Sequence, residues 1–478
     1  MVFVSIYGGQ VMLLSVANLR KTINYLKKNG VEDTYYAALE RIVTRKQRKY
    51  QYEQPAEEEL QRQSDDTWVW RPKLSLVVPA YETKPIFMQD LILSVVEQTY
   101  RNYELVIADA SETNVVERVV KDFQTQYEGI VYVKLPDNGG ISDNTNAALE
   151  HAAGEYIGLL DHDDLLTPDA LYYVAKELEK CRKKKLSPEL LYTDEDKTNE
   201  YLEVYYEPNQ KREFNYDLIL TNNYICHLSF YRADVIRRLR LRKEYDGAQD
   251  YDLVLRTMAL IEEQAGNMTG TRLPWKEHIR HIPHILYHWR CHEESTALNT
   301  ASKSYAYEAG RRALEDYIRG KHWNAQVSHL KHLGFYRIEY TGDAGEDGNR
   351  ETILRQRDDL GVVGGAVYKN HKIAGGAMRR NGDIMYKGLH ERFSGYLNRG
   401  VLQQDVDAVD LRNMTVREDL TGLFEEITGF SYPVSEKYRT QPLSEEELEN
   451  IRKKSLDFCN KVRKKNIGIL YDPLGKAR

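Results

Sequence analysis

The stretch Tyr156-Ile-Gly-Leu-Leu-Asp-His-Asp-Asp164 decides the fold, because a short apolar run ends abruptly in a cluster of acidic side chains. Three other apolar, β-prone runs precede it, at residues 74–78, 104–108 and 130–134. Helical patterns separate these runs, at residues 87–98, 113–126 and 143–153. Such alternation predicts a parallel sheet with helices on both faces, and near-continuous apolar strands fit a sheet buried on both sides.

Polar residues follow three of the four predicted strands: Pro79-Ala-Tyr-Glu82, Asp109-Ala-Ser111 and Asp161-His-Asp-Asp164. Open α/β sheets bind ligands beyond the carboxyl ends of their strands, so these residues predict a nucleotide site at that edge. The first strand–helix turn has no G-x-G-x-x-G, and the chain has no G-x-x-x-x-G-K-[ST]. Dinucleotide dehydrogenases and P-loop enzymes are therefore disfavoured.

Asp161 and Asp163 stand two residues apart at a strand end, and the period of two places both carboxylates on the same side. Two hard oxygen donors suit Mg²⁺ or Mn²⁺, with a diphosphate filling the remaining positions. Such a metal would neutralise charge on a departing nucleoside diphosphate. The alternative is a solvated turn or a helix N-cap, since Thr167-Pro-Asp169 follows.

The run from Leu74 to Asp164 resembles the family 2 glycosyltransferases of the GT-A fold. The pieces that carry the resemblance are residues 75–82, 94–105, 107–111, 137–142 and 159–164, and it continues at 193–197, 249–253 and 286–290. It implies an α/β nucleotide-diphospho-sugar transferase fold, with a mostly parallel central sheet flanked by helices. An N-terminal helical segment and a C-terminal α+β appendage would complete the chain.

The resemblance also implies which residues form the nucleotide pocket: Pro79, Tyr81, Glu82, Asp109, Asn138, Gly140 and Asn146. Pro79, Tyr81 and Glu82 would line the base and ribose, and Asp109 would bind the base. The family usually has a second Asp where this chain has Ala110, and many relatives have Arg where it has Thr145. The selectivity for the base is therefore left open.

For the metal and the phosphates, the resemblance implies that Asp163 is the main metal ligand and that Asp161 contacts the metal or the ribose. His288 would be a third metal ligand, and the planar fork of Arg290 would bind phosphate. The neighbouring histidines are expected to be structural or exposed: His281, His284 and His292.

Asp250 matches the family's catalytic base, within Gly247-Ala-Gln-Asp-Tyr-Asp252. A direct displacement needs one carboxylate near the acceptor hydroxyl to take its proton during attack. Asp252 is the competing candidate, with helix solvation or N-capping as its alternative role. For residues 194–196, all acidic, two interpretations stay open: a border of the donor sugar or acceptor, or a solvated acidic turn.

The implied function is a hexosyl- or deoxyhexosyltransferase of polysaccharide biosynthesis in the cell envelope. It would take the sugar from a UDP- or dTDP-linked donor and pass it to a saccharide or lipid-linked acceptor. Two rival classes stay open. A nucleotidyltransferase would want a glycine- and arginine-rich first loop, which residues 79–83 are not. A non-catalytic sugar-nucleotide-binding subunit of a glycan assembly complex would be favoured by loss of Asp163 or Asp250, and both are present.

The 478 residues suit three regions: a helical region at 1–70, the glycosyltransferase domain at 71–324 and an α+β region at 325–478. The last is either a degenerate half of a second glycosyltransferase unit or an unrelated appendage for dimerisation or acceptor docking. Within it, Ser444 followed by Glu447 predicts a helix that starts with a capping box.

The composition of the chain limits which binding partners and which cellular locations we expect. A net charge of −6 gives no global attraction to nucleic acid. Four scattered cysteines without a C-x-x-C pair favour a reducing compartment. Polar residues interrupt positions 1–19, so we expect a buried segment there rather than a signal peptide or membrane span. We expect a cytoplasmic protein. The basic run at 180–185 leaves open a peripheral contact with the inner face of the membrane, and a homodimer is also left open.

Overall fold

The computed structural model describes residues 3–7, 10–14, 16–45, 50–266, 270–292, 304–342 and 350–474. The α-helices are α1 (Val16–Arg45), α2 (Glu57–Ser64), α3 (Pro85–Val96), α4 (Val115–Gln124), α5 (Ile141–Leu149), α6 (Ala170–Lys183), α7 (Tyr216–Ile219), α8 (Ala233–Leu239), α9 (Gln249–Ala265), α10 (Trp275–His278), α11 (Ser304–Gly320), α12 (Arg350–Gln356), α13 (Thr421–Thr428), α14 (Lys437–Thr440) and α15 (Glu445–Arg463). The strands are β1 (Phe3–Tyr7), β2 (Gln10–Leu14), β3 (Leu74–Ala80), β4 (Tyr103–Asp109), β5 (Ile130–Lys134), β6 (Tyr156–Leu159), β7 (Leu165–Leu166), β8 (Leu190–Asn199), β9 (Tyr205–Asn209), β10 (Ser229–Arg232), β11 (Ile279–Cys291), β12 (Ala325–His329), β13 (Tyr336–Tyr340), β14 (Leu360–Gly364), β15 (Val367–Lys369), β16 (Lys372–Gly375), β17 (Ala377–Met378), β18 (Gln404–Asp405), β19 (Ala408–Val409), β20 (Met414–Val416) and β21 (Gly468–Tyr471).

A nine-stranded sheet lies at the centre, in the order β5-β4-β3-β6-β10-β8-β11-β7, with β9 paired to β8. Strands β3, β4, β5 and β6 are parallel, as the sequence predicts. Strand β10 runs antiparallel between β6 and β8, and β11 is parallel to β8. The predicted GT-A fold class, with its mostly parallel central sheet, is confirmed. The carboxyl ends of β3, β4, β6 and β8 therefore point toward one edge.

Both faces of this sheet are covered by helices, which explains why its strands read as unbroken apolar runs. In β3, the side chain of Val77 belongs to the same core as Leu253 of α9. Its neighbour Val78 points the other way, into a second core with Leu91 of α3. All four side chains are fully buried.

The N-terminal region differs in part from the predicted helical segment. An antiparallel hairpin of β1 and β2 precedes α1, within the positions where the sequence suggests only a buried segment. The predicted helix stop at Gly30 is present as a break within α1, where the glycine has φ +80°. No helix in the described ranges is both long and apolar enough to cross a bilayer.

The C-terminal region forms a small sheet in the order β18-β21-β14-β20, and α15 starts with the predicted capping box. It is joined to the central domain by buried ion pairs. Asp217 accepts from Arg357 at 2.8 Å and also pairs with Arg272, while Arg357 contacts Asp359 at 2.7 Å. Burial alone would raise the pKa of Asp359, but the two arginines outweigh it and lower that pKa.

Helix α1 of the N-terminal region also contacts the C-terminal region. The Glu40 carboxylate accepts hydrogen bonds from the backbone N–H of Ser394, at 3.0 Å, and of Gly395, at 2.6 Å. Lys331 pairs with Asp33 at 2.5 Å. The N-terminal and C-terminal regions are thus in direct contact, although the domain boundaries themselves stay predictions.

We expect Asp217→Asn to lower the free energy of unfolding by about 3–5 kcal/mol, because it leaves buried Arg357 without one of its carboxylates. Denaturant titration, followed by circular dichroism, measures the change. Glu263→Gln is the matched control, since Glu263 and its partner Arg238 have exposed side chains (70% and 58%). That exposed pair is worth less than about 1 kcal/mol. Equal midpoints for the two variants would contradict a structural role for the network.

Candidate functional site

Asp161 and Asp163 lie just beyond the carboxyl end of β6, each beside a histidine. The Oδ2 atom of Asp161 is 3.6 Å from Nε2 of His227. The Oδ2 atom of Asp163 is 2.7 Å from Nε2 of His292. The two carboxylate side chains remain 40% and 18% exposed, so both are open to a ligand.

The third acid of this turn, Asp164, has a structural role. It is fully buried, and its Oδ1 accepts a hydrogen bond from the backbone N–H of Arg290 at 2.8 Å. Its Oδ2 accepts from the hydroxyl of Tyr287. Burial, followed by repulsion from Asp163 and Asp161, raises its pKa well above the usual value. Asp164 thus fixes β11 to the acidic turn at residues 161–164. This turn is therefore not the solvated turn that the sequence left open as an alternative.

Strand alternation along β11 separates Tyr287 from His288. The Tyr287 ring stacks on His227, with centroids 5.0 Å apart, on the side of the acidic turn. His288 points to the opposite face, where its Nδ1 is 2.5 Å from Oδ1 of Asp196 and its ring packs against Tyr52. His288 is therefore not brought to the acids, which does not support the expected metal ligation. The histidine in contact with Asp163 is His292, just beyond the strand.

Arg290 is also placed differently from the expectation that it binds phosphate. Its side chain is buried, and Nη2 donates to Oδ2 of Asp90 in α3 at 2.9 Å. The guanidinium lies over the Phe87 ring, 4.4 Å from its centroid, and Nη1 donates to the carbonyl of Glu200. The planar fork thus joins α3 to β11. These contacts do not support the expected phosphate contact, although Nε of Arg290 has no hydrogen-bond partner among the described residues.

The expected base-binding residue, Asp109, lies at the end of β4 and is fully buried. Its Oδ1 accepts from the N–H of Ser111 at 2.9 Å, and its Oδ2 accepts from the Tyr132 hydroxyl at 2.7 Å. Burial and then this hydrogen bond raise the pKa of Tyr132. Glu82 accepts from the Thr113 N–H and hydroxyl, contacts that lower the Glu82 pKa. These bonds fix the loops after β3 and β4 relative to each other.

Two further expected pocket residues frame the same edge. Pro79 is buried within β3, and Tyr81 follows the strand with its side chain exposed. Tyr81 thus presents an exposed aromatic ring next to Glu82, after the end of β3. This is the kind of surface on which a base can stack.

The loop before α5 holds the remaining expected residues, which divide in role. Asn138 caps the loop, accepting from the N–H of Gly140 at 3.0 Å. Gly140 has φ +94°, and a Cβ there would lie 2.6 Å from a carboxylate oxygen of Asp246, so only glycine fits. Asn146 instead donates from Nδ2 to the Leu241 carbonyl at 2.8 Å, and its Oδ1 accepts from the Leu241 N–H at 2.9 Å. The structure therefore does not place the Asn146 side chain toward a nucleotide.

Asp250 and Asp252 have opposite environments in the first turn of α9. The Oδ2 atom of Asp250 accepts from the Asn223 amide at 2.9 Å, and its side chain stays half-buried. Burial, the Asp163 charge and the Asp250 charge all raise the pKa of Asp161. Asp250 is thus within electrostatic reach of the acidic turn. Asp252 is buried between Arg242 and Arg256, so its carboxylate is fully paired.

The acidic residues 194–196 lie within β8 and are buried, so the interpretation as a solvated turn is wrong. Glu195 accepts from the backbone N–H of His227, and the buried ammonium of Lys211 donates to the Ile225 carbonyl at 2.8 Å. These contacts hold the loop that carries His227 toward Asp161. Sequence patterns gave no signal for His227 or Asn223, because only the insertion of β10 into the sheet brings that loop to the acids.

Asp252→Asn is expected to destabilise the fold, whereas Asp250→Asn is not. The first change leaves Arg242 and Arg256 without their shared carboxylate, at a cost of about 2–3 kcal/mol. This is below the range of a fully buried pair, because both arginines keep some exposure. Thermal unfolding of the two variants measures the difference. Equal stabilities would show that Asp252 is not the structural member of the two.

Comparisons with known proteins find relatives for the central part of the chain. The sequence model described as "Glycosyl transferase family 2" matches residues 75–240. "Uncharacterized protein y4gI" of Sinorhizobium fredii is 37% identical over 252 residues, covering 52% of this chain and 25% of that protein. "O-antigen biosynthesis protein RfbC" of Myxococcus xanthus is 29% identical over 274 residues, covering 56% of this chain and 20% of that protein. The chain thus spans a quarter or less of the length of these two relatives.

Among solved structures, S. aureus TarS in complex with UDP-GlcNAc aligns with 52% of this chain and 66% of its own, at 17% identity and a TM-score of 0.39.

Proposed function

Because residues 75–240 belong to glycosyltransferase family 2, we propose that this chain transfers a sugar from a nucleoside diphosphate sugar to an acceptor hydroxyl. The observation that carries the proposal is a set of three carboxylates: Asp161 and Asp163 lie just beyond the end of β6 with partly exposed side chains, and the charge of Asp250 reaches Asp161. Two of them follow a strand end, where a diphosphate would bind, and the third lies in the first turn of a helix.

In the proposed reaction, the acceptor oxygen attacks the anomeric carbon while Asp250 takes the proton from that hydroxyl. The bond from the anomeric carbon to the diphosphate oxygen breaks, and the nucleoside diphosphate leaves. Asp250 lies in the first turn of α9, at the positive end of the helix dipole. The hydrogen bond from Asn223 holds the carboxylate in one orientation. Attack from the side opposite the leaving group inverts the anomeric configuration.

A divalent cation, Mn²⁺ or Mg²⁺, fits the donor set at Asp161 and Asp163. Within the described ranges, no group of three or more acidic, histidine or cysteine side chains is arranged to hold a metal ion, so the diphosphate would have to supply the remaining ligands. A cation bound by only two carboxylates keeps coordination positions free for the oxygens of a diphosphate. His292 hydrogen-bonds to Asp163 and would orient that ligand. The cation would neutralise charge on the departing diphosphate.

We further propose a UDP- or dTDP-linked donor and a saccharide or lipid-linked acceptor in polysaccharide biosynthesis. The name of the relative RfbC, an O-antigen biosynthesis protein, supports this setting. The expectations of a cytoplasmic location, a peripheral membrane contact and a homodimer stay predictions. The alternative of a non-catalytic binding subunit is disfavoured, because Asp250 is half-exposed and held by Asn223, whereas Asp252 beside it is buried in ion pairs.

Asp163→Ala is expected to abolish turnover, because it removes the main proposed metal ligand while leaving the fold intact. Hydrolysis or transfer of a nucleotide sugar, measured with Mn²⁺ and with excess chelator, tests the requirement for a cation. Full activity in chelator would contradict it.

The two histidines provide a matched pair for the same assay. His292→Ala should raise the Mn²⁺ concentration needed for half-maximal activity by about 10-fold or more, as is usual when a partner of a metal ligand is lost. His288→Ala should leave that concentration unchanged, because His288 faces away from the acids. Thermal unfolding of both variants checks that each is folded. The reverse result would restore His288 as the ligand.

Asp250→Asn is expected to lower turnover by about 10²–10⁴-fold, because a positioned base contributes that much to rate. The affinity for the donor, measured by calorimetry, should be nearly unchanged. NMR of the product should show the anomeric configuration opposite to that of the donor. Retained configuration, or a near-normal rate in Asp250→Asn, would remove Asp250 from the role of base.

A further inference from the structure

Arg212 and Arg399 are brought together at the seam between the central domain and the C-terminal region. Arg399 is only 7% exposed, and Nη1 and Nη2 donate to the carbonyl of Gln210 at 3.4 and 3.3 Å. Nη1 of Arg212 donates to the side-chain carbonyl of Gln404 at 3.4 Å. All three contacts are longer than the usual 2.7–3.2 Å range of N–H···O bonds.

Neither arginine forms an ion pair with a carboxylate in the part of the chain that the structure describes. Three other buried arginines do have such a partner: Arg290 with Asp90, Arg357 with Asp217 and Arg412 with Asp410. Arg399, which is also buried, differs from these three, and the partly exposed Arg212 lies beside it.

The two cations also act on each other. Burial, followed by repulsion from Arg212, lowers the pKa of Arg399. The nearest polar groups are neutral: the Tyr386 hydroxyl donates to Gln404 at 2.8 Å, and burial raises the Tyr386 pKa, so the phenol keeps its proton. A buried guanidinium that lacks a counterion is costly, and the charge of the partly exposed Arg212 adds to the cost for Arg399.

The adjoining surface is positive. Tyr386 also lines a pocket of about 350 Å³, and the charged residues around it are three cations and one acid: Arg379, Lys387, Arg452 and Asp383. A field of this sign raises the local concentration of anions.

We propose that Arg212 and Arg399 bind an oxyanion, the phosphate or carboxylate group of an acidic ligand such as a phosphorylated or uronic sugar. The guanidinium fork matches both groups, which can accept two parallel N–H bonds. The bound anion supplies the charge that the chain itself lacks at this seam. The proposal does not depend on the transfer reaction.

Thermal unfolding of the full chain, at constant ionic strength set with chloride, tests the site. Inorganic phosphate and glucuronate are the two probes, and glucose is the uncharged control. We expect a saturable rise in the midpoint of roughly 1–2 °C at about ten times the dissociation constant, since a chain of this length shifts by only about 1 °C per kcal/mol. A rise with only one of the anions identifies which group the site takes.

Arg212→Gln and Arg399→Gln should each abolish the anion-dependent rise while unfolding at or above the wild-type midpoint without anion, because each relieves the repulsion. Arg319→Gln, whose side chain is 74% exposed, is the charge-matched control and should respond like the wild type. An equal rise in all four proteins would show adventitious surface binding only and would overturn the proposal. No rise with either anion, or an equal rise with glucose, would also overturn it. Calorimetric titration of phosphate decides the case if one variant fails to fold.

Discussion

The site depends on the hydrogen bonds that the buried carboxylate of Asp164 accepts from strand β11. It never needs to touch a ligand, yet it receives the hydroxyl of Tyr287 and the backbone N–H of Arg290. Through these bonds, the end of β11 is fixed to the turn that carries Asp161 and Asp163. Tyr287 then supports the His227 ring beside Asp161. The buried carboxylate of Asp164 thus positions Asp161 and Asp163, whose carboxylates remain partly exposed to water.

The period of two along strands sorts functional side chains from structural ones. On β11, Tyr287 faces the acidic turn and His288 faces Tyr52 and Asp196. On β8, Glu195 supports the loop of His227, whereas Asp196 lies on the other face. Neighbouring residues of similar chemistry therefore have different roles.

The apolar runs predicted strands β3 to β6 and the edge where the acids collect, because burial on both faces leaves a strong local signal. Asp250 was identified through resemblance, and its contact with Asn223 supports that choice over Asp252. The roles expected of His288 and Arg290 did not match their surroundings, since the face and the partner of each depend on elements distant in sequence. Contacts such as Arg212 with Gln404 leave no local pattern at all.

The regions at the two ends of the chain are tied to the centre and to each other. Glu40 of α1 binds the backbone at Ser394, and Arg357 reaches Asp217 of the central domain. Evolution could not exchange the central domain for a homologous one by recombination at the linkers alone. Asp217 and Arg357 would have to be kept together, so the unit inherited together is larger than the family-matched segment of residues 75–240.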